Sequence, residues 1–167
     1  GFVHRTFNDL DFIWFVRLLR NVYVEYGGIG QIFENEYNTH KDIRIALSNF
    51  RKIFFSVEHP DRLSRHLSSI DKGATCKRLN MYIRWMVRRD DRGVDFGIWN
   101  EISPAELSCP LDVHSGTIAR KLGLLKRKQN DQKALRELDD ALRLMDPCDP
   151  VKYDFALFGL GAIEKFE

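Results

Sequence analysis

Cysteine is scarce in this chain. Cys76, Cys109 and Cys148 are the only three in 167 residues, an odd number spread too widely for a disulfide framework, a zinc site or a four-thiolate cluster. No structural metal is expected on that ground, and no cofactor is expected either. Long apolar runs are also missing, so no stretch reads as a bilayer span, and no charged-then-apolar secretory pattern is seen. An intracellular, cytoplasmic protein is expected. A surplus of one charge is lacking as well: 26 Lys plus Arg against 24 Asp plus Glu leave +2, short of the basic excess of a dedicated nucleic-acid binder. That sum still allows a local basic face. With 44% hydrophobic and 12% aromatic residues the chain can bury a core, which excludes general disorder. The length of 167 residues fits one domain.

Apolar spacing is helical nearly throughout, and no strand is needed to account for it. Asn8 or Asp9 is expected to cap a helix burying Leu10, Ile13, Val16, Leu18, Leu19, Val22 and Tyr23, ended by Gly27 and Gly28. A second helix is expected from Asn38 or Thr39 through Ile43, Ala46, Leu47, Phe50 and Phe54 to the His59-Pro60 step. A short helix is expected within 61–73, carrying Leu63, Leu67 and Ile70. Thr75 is read as the cap of a helix with Leu79, Tyr82, Ile83, Met86 and Val87 on one stripe. Residues 94–110 read as a loop with one turn at Ser103-Pro104. Asp112, Asp131 and the Asp149-Pro150 step then open three more helices. The total is about seven helices in a single all-α helical bundle over 1–167, divisible into N-terminal helices at 1–72 and motif-bearing helices at 73–167.

Two stretches differ from routine helical sequence. In Gly73-Ala-Thr-Cys-Lys77 a lysine sits in the opening turn of a helix, among unpaired N–H groups at the positive end of the dipole. A cation is disfavoured there, whereas a nucleophilic amine must reach its neutral form near neutral pH. A lysine simply pointing into water is the plain alternative. In Pro110-Leu-Asp-Val-His114 an aspartate opens a helix two residues before a histidine, and an ordinary N-cap is the plain reading of Asp112.

Together the two stretches resemble the helix-hairpin-helix DNA glycosylase superfamily. Pro110-Leu-Asp-Val-His114, followed by Ile118-Ala-Arg-Lys-Leu-Gly-Leu124, resembles the Pro-x-Asp-x-His segment that carries the catalytic aspartate there. Lys77 stands where members that also cleave the backbone carry a lysine, in the opening turn of the second hairpin helix. Its 35-residue separation from Asp112 is similar to archaeal-type 8-oxoguanine DNA glycosylases rather than to the endonuclease III group. The turn before it, Ser69-Ile-Asp-Lys-Gly73, has one of the two glycines usual in that hairpin. Lys77 to Arg88, Gly97 to Trp99 and Lys152 to Gly161 resemble, more closely, an uncharacterised bacterial family common in Bacteroidetes and assigned to this superfamily. Chains of that family extend further at the N-terminus, so the resemblance implies a native segment before residue 1.

The resemblance implies a base-excision repair enzyme acting on damaged double-stranded DNA, with the target base flipped into a pocket. An oxidised purine such as 8-oxoguanine is the implied target. Lys77 would be the nucleophile, forming a Schiff base that permits strand cleavage, and Asp112 the carboxylate that steers its proton and stabilises the sugar cation. His114, Arg78, Arg84, Arg88, Arg120 and Lys121 are candidate DNA contacts, with Arg89, Lys126, Arg127 and Lys128 as further rim charges; any of them also fits a solvated face. Trp85, Phe96 and Trp99 are candidates for stacking on an extruded base, or for the core. The implied location is cytoplasmic, nucleoid-associated when on DNA. The competing reading is a non-catalytic helical DNA-binding or protein-interaction module on the same scaffold.

Overall fold

The computed structural model describes residues 2–4 and 6–162, with side chains over 6–161. The fold is all-α. The chain divides into two compact units, Gly1–Ser69 and Ile70–Glu167.

The first unit opens with a small hairpin that sequence patterning does not reveal: β1 (Phe2–His4) pairs antiparallel with β2 (Phe7–Asn8). Two or three residues are too few to show a period of two. Helix α1 (Asp9–Tyr26) follows, capped by Asn8, whose side chain accepts the Asp11 N–H while Asp11 accepts the Asn8 N–H. Gly27, at φ 74°, ends α1 in the left-handed conformation that glycine adopts without penalty. Helix α2 (Ile29–His40) is absent from the sequence reading, and α3 (Ile43–Phe54) is capped by Asp42 rather than Asn38 or Thr39. The core of this unit is aromatic. Phe33 lies 4.9 Å from Phe50, and Phe50 5.9 Å from Phe54, with Leu18, Val22, Leu47 and Leu63 buried in the same unit.

The expected buried face of α1 is only partly inside. Leu18 and Val22 are buried, whereas Leu10, Ile13, Val16 and Tyr23 are exposed. The inner face is claimed instead by Asp11, whose Oδ2 takes Arg62 at 2.7 Å and His66 at 3.2 Å. The helix expected within 61–73 is two 3-10 turns, Asp61–His66 and Ile70–Lys72.

The second unit is built on α4 (Lys77–Val87), α5 (Val113–Lys121), α6 (Gln132–Met145) and α7 (Asp154–Ala162). Asp112 and Asp131 cap α5 and α6 as expected. Thr75 does not cap α4. Cys76 occupies that position at φ 50°, and the Thr75 hydroxyl donates to the Leu111 carbonyl at 3.4 Å. The core joins Cys109, Leu111, Ile118, Leu125, Leu135, Leu138, Leu142 and Leu157. The Ser103-Pro104 turn is present as a 3-10 turn over Pro104–Glu106, and another, Pro150–Tyr153, leads into α7. No helix among the described residues is long and apolar enough to cross a membrane.

Candidate active site

Lys77 is aimed by the turn that precedes it. Cys76 is one of two non-glycine residues with positive φ among the described residues, a conformation that persists only where the surroundings hold it. Asn80 supplies part of that hold. It is buried, its N–H bonds the Cys76 carbonyl at 3.0 Å, and its side-chain amide donates to the Thr75 carbonyl at 2.8 Å. The Gln132 N–H, at the start of α6, fixes the Gly73 carbonyl at 2.9 Å. The Thr75 to Leu111 bond ties this turn to the residue just before Asp112.

Asp112 is oriented from the other side. Its Oδ1 accepts the Ser115 N–H at 3.0 Å and the Ser115 hydroxyl at 3.2 Å, and the Asn130 side chain donates to its carbonyl at 2.9 Å. Oδ2 is left over and stands 3.6 Å from Lys77 Nζ, with both side chains about one-third exposed (34% and 27%). The amine and the carboxylate named from sequence are therefore in contact.

Both line one cavity of about 240 Å³. Its walls are Met81, Trp85, Val94, Pro110, Phe155 and Phe158, and its polar groups are Lys77, Arg84, Asp112, Ser115 and Asp154. The volume is below the roughly 300 Å³ at which drug-sized ligand pockets begin.

Asp154 was not singled out in the sequence. It lies in the Lys152 to Gly161 motif, so the signal was present without a role attached. Arg84 Nη1 meets its Oδ2 at 2.5 Å, and the Cys109 thiol reaches its Oδ1 at 3.8 Å. Burial pushes its carboxyl above the ordinary aspartate range, opposed by the charges of Arg84 and Lys77 and assisted by that of Asp112. Phe155 and Phe158, at i and i+3 of the same motif, also line the cavity without a role assigned from the sequence.

Two expected DNA contacts, Arg84 and Arg88, are instead held inside by carboxylates. Arg84 is 2% exposed, paired with Asp95 and Asp154 and stacked 4.1 Å over the Phe155 ring. Arg88 is bonded to Asp90, Asp95 and Asp149. These guanidiniums hold the segments that follow α4 and α6 in place and do not form a surface rim. Arg120 is spent on the Arg127 carbonyl and Asn130 Oδ1, and Arg127 pairs with Asp131. Arg78, His114 and Lys121 are on the surface, and none of the three lines the cavity. Among the aromatics, Trp85 lines the cavity, Phe96 is exposed, and Trp99 is buried edge-on to Tyr82 at 5.7 Å.

Fold and site together define an all-α protein whose second unit sets one amine and two carboxylates around an aromatic-walled cavity. Residues 1–163 match the family described as protein of unknown function DUF2400, and the chain belongs to that family. Comparison with curated proteins and with solved structures returned no match.

Proposed function

We propose that the protein is a DNA glycosylase with AP lyase activity, acting on an oxidised purine such as 8-oxoguanine in double-stranded DNA. The observation that carries this reading is the 3.6 Å approach of Lys77 Nζ to Asp112 Oδ2 at the edge of a cavity walled by Trp85, Phe155 and Phe158. The resemblance of the Lys77 and Asp112 segments to helix-hairpin-helix glycosylases supports it. In this reading the flipped base enters the aromatic-walled space, where stacking holds it without a sequence-specific contact. The Lys77 amine attacks C1′, the glycosidic electron pair leaves with the base, and Asp112 stabilises the positive charge that builds on the sugar. Loss of the Lys77 proton and opening of the sugar ring leave an imine between Nζ and C1′. Surface Arg78, His114 and Lys121 are the remaining candidates for phosphate contacts.

The test is incubation with a duplex oligonucleotide carrying one 8-oxoguanine, with free base and nicked strand measured in parallel. Release of 8-oxoguanine together with strand cleavage is expected. Intact base and strand, across a panel of oxidised purines and a preformed abasic site, would overturn the reading.

A further inference from the structure

We propose that Asp154 is the base that removes the C2′ proton in the strand-cleaving step, an inference that rests on the glycosylase and lyase reading above. Asp112 is poorly placed for that task. One of its oxygens is committed to Ser115, and the other faces the nitrogen that becomes the imine. The proton to be removed is on C2′, one bond beyond C1′, and a second carboxylate lining the same cavity can take it.

Asp154 meets this need. It opens α7, lines the same cavity, and interacts electrostatically with both Lys77 and Asp112. Its side chain is 13% exposed, against 27% for Asp112. Arg84, itself buried and backed by Asp95, anchors Oδ2, while among the described residues Oδ1 has only the weak thiol donor of Cys109. Oδ1 is thus the oxygen with acceptor capacity to spare. The charged and titratable groups facing this carboxylate are Lys77 and Arg84 from α4, and Cys109 and Asp112 from the segment leading into α5. Burial outweighs the two cations and raises its proton affinity, which makes it a stronger base than a solvated aspartate. The two aspartates thereby divide the work. The more exposed Asp112 stands beside the amine, and the more buried Asp154 takes and returns a proton.

In the step itself, the Asp154 carboxylate takes the C2′ proton of the Lys77 imine. The C–H pair becomes the C2′–C3′ double bond, and the C3′–O bond breaks with its pair leaving on the phosphate. Water then hydrolyses the unsaturated imine, which frees the Lys77 amine, and the Asp154 proton returns to solvent.

The experiment uses a duplex oligonucleotide with one preformed abasic site, and compares wild type with Asp154→Asn for borohydride-trapped adduct and for nicked strand between pH 4.5 and 8. The expected result is trapping at the wild-type level with nicking at least about 100-fold slower, and loss of the acid limb that wild-type nicking shows. Equal nicking with an unchanged pH profile would overturn the role and leave the glycosylase reading standing. Loss of trapping as well as nicking in a variant with wild-type melting would assign Asp154 to imine formation, and so also overturn it. No adduct from wild-type protein would remove the parent reading and this inference with it. If the Asn variant does not fold, the wild-type ratio of nicked to trapped product decides. A ratio that falls toward acid pH supports the role, and a constant ratio contradicts it.

Discussion

Asp112 serves the helix with one oxygen and the amine with the other, so the two roles can be separated by a single substitution. An asparagine at 112 caps α5 about as well as aspartate and can keep the acceptor for the Ser115 N–H, but it removes the charge opposite Lys77. Asp112→Asn is expected to fold and bind DNA near normally while releasing base at least about 100-fold more slowly. Single-turnover excision beside a binding titration checks this, and unchanged turnover would remove Asp112 from the chemistry. A second aspartate sets a pH dependence of stability. Asp139, on α6, is buried and accepts the Cys109 N–H at 2.9 Å. Burial pushes its carboxyl up to about 6, against the opposing pull of the Cys109 N–H, Ser108 and Arg143. The folded state therefore binds the proton more tightly than the unfolded chain. The stabilisation is full below the ordinary value of 3.8 and is lost as pH rises through about 6, a change of roughly 3 kcal/mol at most. Asp139→Asn, which imitates the protonated form, is expected to melt above wild type at pH 7 and level with it near pH 4. A wild type that melts higher at pH 7 would contradict this assignment.

At the scale of elements, α5 and α7 pack closely enough to bring Asp154 to the cavity that Asp112 lines. A glycine allows that approach: a Cβ at Gly161 would stand 3.0 Å from Ile118 Cγ1 and 3.3 Å from the His114 carbonyl. Gly161→Ala is expected to cost on the order of 1 kcal/mol or more by overpacking, read as a lower denaturant midpoint, with excision impaired beyond the stability loss. A wild-type midpoint and rate would show that the contact is slack. Helix starts were the most legible elements. Asn8, Asp112 and Asp131 announce their helices because a side-chain acceptor before an apolar-periodic run satisfies orphan N–H groups locally. Helix α2 was not legible. Its apolar residues Ile32, Phe33 and Tyr37 are separated by Glu34, Asn35 and Glu36, and Gly27 and Gly28 just before it read only as the end of α1. The stripe on α1 misled for a different reason: which face of α1 lies inward is decided partly by Asp11, with partners at Arg62 and His66 more than fifty residues away.

Across the whole molecule, local chemistry was readable and distant pairing was not. Lys77 and Asp112 stand out because each is at a helix start, where the backbone field makes the choice of residue informative, but their catalytic roles come from the resemblance to helix-hairpin-helix glycosylases. Arg84 and Arg88 looked like surface charge, since nothing near them in the chain reveals Asp154, seventy residues from Arg84, or Asp149, sixty-one from Arg88. The formal charge of +2 does not tell which cations are left at the surface: Arg84, Arg88 and Arg127 each pair with an acid within the fold. The proposed function rests on one relation, the amine of Lys77 beside the carboxylate of Asp112. Its most direct test is borohydride trapping on a duplex containing 8-oxoguanine, with wild type beside Lys77→Gln. A covalent protein–DNA adduct from wild type that disappears in the variant is the predicted result, and equal trapping by both proteins, or none by wild type, would contradict it.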